Sequence, residues 1–458
     1  MHFDIINPAT GDKVNSYAEM PPEEVQDTLA QCHAAQREWR RTSHAERARR
    51  MLAVRELLLA NKDEYARLMA LEMGKIYPQG IAEIEKCAWA CQYYAETAAG
   101  FLSPESIQTE ACKSFVTFNP LGIVLAVMPW NFPFWQVFRF AVPALLAGNG
   151  ALLKHAPNVV GCALSVEKIF RDAGFPEHLF RTLVIGIPQT TQLIHHRFVA
   201  AVSITASVGA GRAVASEAGK ALKKCVLELG GSDPFIVLED ANVDKAVEVG
   251  VISRFQNSGQ SCIAAKRFIV VKAVREEFEA RFVEAAGKLK MGDPMEEGVY
   301  IGPQARLDLR DALHEQVRRS VAAGACLLLG GEIPDGPGAF YPATVITEVQ
   351  QGMAAWSEEF FGPVASILPV EDEAEAIAVA NATDFGLGGA VWTRDLARGE
   401  HIAADRLESG AAFVNDMSKS DPRMPFGGIR NSGYGRELSQ FGIREFVNVH
   451  SVWVKQAD

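Results

Sequence analysis

Leu121-Gly122-Ile123-Val124-Leu125-Ala126-Val127-Met128-Pro129-Trp130-Asn131-Phe132-Pro133 is the stretch on which the fold turns. It lies inside residues 114–138, which carry no charge and are long enough to cross a bilayer. Pro120, Pro129 and Pro133 interrupt that run, and Asn119 and Asn131 are polar. A membrane helix is therefore rejected, and Leu121–Val127 is predicted to be a buried strand that ends in a loop. The pattern then repeats. A helix is predicted from about Phe134 to Leu146, a strand over Ala151–Lys154, a helix over Val160–Ala173 and a strand over Phe180–Ile185. Another strand, Ala200–Thr205, leads to a helix from Ala210 and to the strand Lys224–Glu228. Apolar strands alternating with helices of this length predict a parallel sheet covered on both faces, and a dinucleotide-binding fold for 121–230.

A second βα series follows Gly231: strand Pro234–Leu238, helix Val243–Gln256, strand Arg267–Lys272, helix Glu276–Lys290, and similar alternation to Ala411–Asn415. Upstream, Pro22–Ala99 is helical in period, with Val25, Leu29 and Cys32 and then Tyr65, Leu68 and Leu71 on shared faces. Residues 103–120 read as an extended excursion. The tail 444–458 alternates through Phe446, Val447, Val449, Val452 and Trp453, a pattern suited to strand pairing with another subunit. The expected division is 1–102 with 121–230 as a cofactor-binding unit, 231–443 as a catalytic unit, and 103–120 with 444–458 as oligomerisation segments.

The composition fits a soluble globular protein, with 458 residues, 48% hydrophobic and 22% charged. A net charge of −11 argues against nucleic acid or an anionic membrane as partner. The eight cysteines form no CxxC pair, so no zinc or other metal is expected. Met1-His2-Phe3-Asp4 lacks the basic start and apolar core of a secretory signal, and a cytoplasmic location is expected.

Gln256-Asn257-Ser258-Gly259-Gln260-Ser261-Cys262-Ile263-Ala264 places one cysteine among small and polar neighbours, where a substrate carbon can reach the sulfur. Thiolate is the attacking form, and a free thiol with pKa ~8.5 is a few per cent thiolate at neutral pH. A lone cysteine more often simply packs, but this one has company. Glu228-Leu229-Gly230-Gly231 and Pro129-Trp130-Asn131-Phe132-Pro133 precede it. Ser357-Glu358-Glu359-Phe360-Phe361-Gly362-Pro363 and Pro425-Phe426-Gly427-Gly428 follow it. In this order the five stretches resemble the aldehyde dehydrogenase superfamily, with the likeness running from Ile6-Asn7-Pro8-Ala9-Thr10-Gly11 to Gly435-Arg436-Glu437. Within it, the chain looks most like bacterial succinate-semialdehyde dehydrogenases. The resemblance implies an α/β fold of aldehyde-dehydrogenase type, with two parallel-sheet α/β domains and a β-rich oligomerisation extension.

It also implies roles. Cys262 would attack the aldehyde carbon to give a thiohemiacetal. The Asn131 amide and the Cys262 backbone N–H would hold the oxyanion, although Asn131 alone also reads as a helix N-cap. Hydride transfer to a nicotinamide would leave a thioester, hydrolysed by water that Glu228 activates. A salt bridge is the other reading of Glu228. Relatives that pass the acyl group to coenzyme A generally lack this base, so a free acid is the expected product. Glu437 matches a position linked to proton relay. For the cofactor, the resemblance points to Trp130, Lys154, Ser207, Gly211, Leu229, Glu359 and Phe361. Lys154 would meet the adenine ribose, Ser207–Gly211 would open a helix onto the pyrophosphate, Glu359 would bond the nicotinamide ribose, and Phe361 would pack on the ring. Taken alone, Phe361 reads as a core aromatic, and Ala206 stands where the family usually has glycine. Pro157 occupies a position where the family often has glutamate. No carboxylate there repels a 2′-phosphate, and Lys154 and His155 would attract one, so NADP is expected to be accepted, with NAD still open.

Arg139 lies on a helix otherwise lined by Phe134, Trp135, Val137, Phe138 and Phe140, and needs a partner. The resemblance makes that partner the substrate's distal carboxylate; the other reading is a protein carboxylate. Some relatives have a second arginine where this chain has Gln256. Ser420 would add a hydroxyl, and Arg423 a charge. Ala264 stands where some relatives carry a second cysteine, so no local disulfide is expected. The expected reaction is oxidation of succinate semialdehyde to succinate by a homodimer or homotetramer. Rivals are another substrate, glutarate semialdehyde or an apolar aldehyde, a thiol esterase or acyltransferase, and a non-catalytic protein.

Overall fold

The computed structural model describes residues 1–457. Ile123–Met128 is buried at every position but Val127 and lies inside a six-stranded sheet. The order is Gly433–Tyr434, Lys224–Glu228, Val199–Thr205, Ile123–Met128, Gly150–His155, Phe180–Thr182. All neighbours are parallel except Gly433–Tyr434, which pairs antiparallel through Gly433↔Glu228. Alternate residues feed opposite faces. Val124 and Ala126 pack with Phe134, Phe138 and Leu145 on one side. Ile123 and Leu125 pack with Val25, Leu29 and Val202 on the other. Each fully buried Val, Leu, Ile or Phe among them contributes about 1.5–3 kcal/mol relative to exposure.

The chain runs outward from Ile123–Met128 to Phe180–Thr182, then returns to the opposite side of Ile123–Met128 as Val199–Thr205. Ligands of open α/β sheets bind outside the carboxyl ends of the strands at such a reversal. Here those ends are Pro129–Asn131 and Ala206–Ser207.

A seven-stranded sheet follows the order Cys326–Leu329, Thr344–Thr347, Val364–Val370, Ala265–Val271, Asp233–Val237, Ala390–Trp392, Phe413–Val414. Only Cys326–Leu329 runs antiparallel. Ala265–Val271 is buried throughout. Arg267 is tolerated within it because its guanidinium donates to the carbonyls of Ser232 (3.0 Å), Val379 (2.9 Å) and Ala380 (2.9 Å).

Lys113–Pro120 pairs antiparallel with Val447–Val454 from Lys113↔Val454 to Pro120↔Val447, and Glu105–Ser106 joins the other edge. The two segments expected to serve oligomerisation thus form one sheet. Among the described residues no helix is long and apolar enough to cross a membrane.

Two expectations shift. The strand at 180 ends at Thr182. The chain also rejoins the first sheet at Gly433–Tyr434, inside the span expected to be wholly catalytic. Gly433 permits this: its φ is 110°, and a Cβ would lie 2.0 Å from the Leu227 carbonyl oxygen.

Candidate active site

Cys262 stands just before the amino end of Ala265–Val271, on a loop held in an uncommon shape. Asn257 (φ 55°), Ser258 (φ 52°) and Gly259 (φ 73°) are left-handed in succession, which costs energy at the two residues that carry a Cβ. A Cβ on Gly259 would sit 2.2 Å from the Gly362 oxygen. Surrounding donors hold the loop. Asn257 Nδ2 donates to the carbonyls of Asn131 (2.8 Å) and Gln260 (3.0 Å). Arg254 Nη2 donates to the carbonyls of Phe360 (2.9 Å), Gly259 (3.3 Å) and Gly362. Lys266 Nζ donates to the carbonyls of Ser261 (2.9 Å) and Cys262 (2.7 Å).

Asn131 lies on the loop that leaves the strand reversal. Its Nδ2 donates to the Gln260 carbonyl at 3.1 Å, which leaves a second amide hydrogen for an oxyanion. The N-cap reading of Asn131 fails. The backbone N–H groups of Phe134 and Trp135 both donate to Glu83 Oε1 at 2.9 Å, so a carboxylate from another helix caps this one. Glu83 in turn pairs with buried Lys75, whose ammonium lies 3.8 Å from the Phe132 ring centroid.

Glu228 ends its strand in the interior. Among the described residues neither carboxylate oxygen has a hydrogen-bond partner, so the salt-bridge reading finds no support. Burial pushes its pKa well above the usual carboxylate range, while Arg139 pulls the other way. Glu437, also raised by burial, forms an ion pair with Arg139. Arg139 is 2% exposed. Its Nη2 donates to Thr205 Oγ1 at 3.3 Å, and its guanidinium lies 4.6 Å from the Phe426 ring centroid. Arg139 thus has a protein carboxylate as partner, which is how so apolar a helix accommodates the charge, and it also borders the second cavity described below. Burial also pushes the Cys262 thiol up to about 12, against the pull of Arg139 and Lys266.

Two cavities meet at Cys262. One, of about 240 Å³, is bounded by Trp130, Asn131, Ser207, Leu229, Glu359 and Phe361. The Ser207 hydroxyl accepts from Ala210 N–H at 3.4 Å and caps Val208–Lys220, whose N-terminus therefore opens at the strand reversal. Glu359 accepts from Gly231 N–H (3.0 Å) and pairs with Lys266 at 3.3 Å. Trp130 and Phe361 meet edge to face at 5.7 Å. Gly211 does not border this cavity. A Cβ there would lie 2.4 Å from Leu229 Cδ2, so the glycine lets the helix close on Leu229. Lys154 lies near the carboxyl end of Gly150–His155, half-buried and with no ion pair among the described residues, three positions before exposed Pro157. His155 is corrected. It is buried, with Nε2 donating to the Pro133 carbonyl (2.9 Å) and Nδ1 accepting from Ala156 N–H (2.9 Å). Burial lowers its pKa to about 4, so it is neutral and pins the Pro129–Pro133 loop instead of attracting phosphate.

The second cavity, about 210 Å³, is bounded by Lys86, Trp135, Arg139, Gln256, Ser420 and Phe426. Gln256 is exposed at its wall. Ser420 Oγ accepts from Lys86 Nζ (2.8 Å) and Trp135 Nε1 (3.1 Å). Arg423 is not part of this wall and pairs with Asp421 at 2.6 Å. Sequence reasoning missed Lys86. Its only local signal is its place three residues after Glu83 on Tyr77–Phe101, which puts both on one helix face.

Comparison with known proteins agrees with this architecture. Residues 1–452 match the aldehyde dehydrogenase family. Over 449 residues the chain is 49% identical to a probable succinate-semialdehyde dehydrogenase (NADP+) of Synechocystis sp., covering 98% of this chain and 99% of that one. It is 47% identical to a succinate semialdehyde dehydrogenase (NAD(P)+) of Escherichia coli, covering 99% and 98%. A solved structure of succinic semialdehyde dehydrogenase from Streptococcus pyogenes with NADP+ superposes with a TM-score of 0.97 at 35% identity, covering 99% and 100%. With a match this nearly continuous and relatives this similar from end to end, the chain belongs to the aldehyde dehydrogenase family.

Proposed function

We propose that this enzyme oxidises succinate semialdehyde to succinate with NADP+ or NAD+. The observation that carries the reading is the position of Cys262, where a crevice of dinucleotide type meets a separate cavity with cationic walls. The crevice fits the cofactor. A helix N-terminus capped by Ser207 opens there, Lys154 has no carboxylate partner among the described residues, and Glu359 is already oriented by Gly231. When bound, the dinucleotide supplies the hydride acceptor. The relatives named above are described as NADP+ or NAD(P)+ enzymes, in keeping with Pro157 at the site's edge.

Cys262 Sγ, once its thiol proton has passed to solvent water, adds as thiolate to the aldehyde carbon. The free amide hydrogen of Asn131 and the Cys262 backbone N–H receive the oxyanion. Loss of one such donor typically lowers rate about 10²–10³-fold. After the carbon gives up hydride, a thioester remains on Cys262. Glu228, in its ionised form, takes a proton from water, which attacks the thioester and frees the acid and the thiol. Arg139 and Glu437 fix the charge around this step.

The two βα sheets act as cofactor-binding and catalytic units, and the chain assembles as a homodimer or homotetramer through the sheet of 103–120 and 444–458. Val449 and Trp453 lie exposed on its outer strand. A nucleophilic thiol suits the reducing cytoplasm.

The test is the initial rate of reduced-cofactor formation with succinate semialdehyde and with propanal, using NADP and NAD side by side. Strong preference for the semialdehyde is expected. Equal rates would sink the substrate assignment, and no reduction with either aldehyde would return the esterase. Glutarate semialdehyde, run in parallel, reads the length limit.

A further inference from the structure

The strand Ala265–Val271 carries two adjacent cations, Lys266 and Arg267, and both are buried. Neighbours on a strand point to opposite faces, so each needs partners of its own. Arg267 donates to the carbonyls of Ser232, Val379 and Ala380. Lys266 turns to the Cys262 loop instead. An ammonium has three hydrogens, and three oxygens meet this one: the Ser261 carbonyl at 2.9 Å, the Cys262 carbonyl at 2.7 Å and Glu359 Oε1 at 3.3 Å. The same Glu359 oxygen accepts from Gly231 N–H at 3.0 Å, and a Cβ on Gly231 would lie 2.6 Å from the Cys262 carbonyl oxygen. The ammonium is therefore held from several sides. Burial lowers its pKa, while Glu359 and then Asp233 oppose that.

Of the three contacts, the one to Ser261 reaches the chemistry. The Ser261 carbonyl and the Cys262 N–H are the two ends of one planar amide, and resonance couples them. A cation on the oxygen draws electron density from the nitrogen and makes its N–H a stronger donor. Ala264 N–H, 3.3 Å from the same oxygen, acts in the same direction. Among the described residues no backbone carbonyl accepts from Cys262 N–H, which leaves it for an oxyanion.

We propose that Lys266 is a positioning residue of the oxyanion site, acting through the Ser261–Cys262 peptide to strengthen the N–H that receives the developing charge. The assignment rests on the reading of Cys262 as the nucleophile.

The test compares two reactions of Cys262 in the cofactor-free enzyme. Iodoacetamide alkylates the thiolate by displacing iodide, and no oxyanion forms. With p-nitrophenyl acetate the thiolate adds to the ester carbon, an oxyanion forms, and p-nitrophenolate leaves with the electron pair. Both reactions draw on thiolate, so the ratio of acylation to alkylation largely cancels a change in the thiol and reads the oxyanion site. The p-nitrophenolate burst gives acylation, and the mass of the tryptic peptide that holds Cys262 gives alkylation. Lys266→Met is expected to lower the ratio about tenfold. Lys266→Gln keeps a donor for the carbonyls without the charge. Its ratio is expected to fall between wild type and Lys266→Met, and it decides the matter should Lys266→Met not fold. Lys266→Arg is expected to recover most of the ratio. Both rates falling together, with the ratio within about twofold of wild type, would overturn the proposal, because Lys266 would then act on the thiol or the loop alone. A burst that survives Cys262→Ala would instead remove the reading of Cys262 as nucleophile, so the two failures are distinct.

Discussion

Arg139 and Glu437 form a buried ion pair close to Cys262, with Arg139 2% and Glu437 3% exposed. Breaking such a pair leaves one charge stranded and typically costs about 3–5 kcal/mol. Arg139→Ala is therefore expected to lower the Tm by several degrees and to slow succinate semialdehyde and propanal alike. The double variant Arg139→Met/Glu437→Leu is expected to regain much of the stability. Thermal unfolding of the three proteins checks this. A single variant with wild-type Tm and a loss confined to the semialdehyde would show that Arg139 serves the substrate.

Glu228 has no partner for either carboxylate oxygen among the described residues, and burial favours its protonated form. Its base activity should therefore grow with pH. Glu228→Gln keeps the shape and removes the base. The first equivalent of reduced cofactor is expected to form as a burst, followed by a steady-state rate about 10²–10⁴-fold below wild type. Rapid-mixing absorbance separates the two phases, and a lost burst would place Glu228 before the thioester.

The Cys262 thiol is pushed up to about 12 by burial, with Arg139 and Lys266 pulling it down. A raised thiol pKa means that thiolate increases with pH across the whole working range. Inactivation of the cofactor-free enzyme by iodoacetamide is expected to accelerate about tenfold per pH unit from 7 to 9 with no plateau. Removal of Arg139 should slow it at every pH. A plateau near pH 7 would reveal a thiolate already formed.

Pro157 is exposed close to Lys154, which has no ion-pair partner among the described residues, at the carboxyl end of Gly150–His155. Pro157→Glu is expected to raise the KM for NADP roughly tenfold or more relative to NAD, from repulsion of the 2′-phosphate near the surface. Steady-state titration with both cofactors gives the ratio. An unchanged ratio would move the 2′-phosphate site elsewhere.

Much of the architecture was legible because it follows from short periods in the chain. Ile123–Met128 and Lys224–Glu228 announce themselves as apolar runs between turns, and their carboxyl ends carry Asn131 and Glu228 into the site. Cys262 was legible through its small neighbours. What escaped was set by contacts between distant segments. Glu83 caps a helix that begins at Trp135, His155 gives both nitrogens to backbone groups, and Lys86 reaches Ser420 across 334 positions. The charge state of Arg139 is also relational. Its helix requires a counter-ion, but only the folded chain shows that Glu437 supplies it.

The pairing of Lys113–Pro120 with Val447–Val454 has a consequence for biogenesis. During synthesis the earlier strand emerges long before its mate and must wait, edge unsealed, while the whole second sheet is made. Gly433–Tyr434 closes the flank of Lys224–Glu228 late as well. The first unit can therefore collapse early on the ribosome but cannot finish. Chains interrupted before residue 433 would carry open strand edges that chaperones and proteases can recognise.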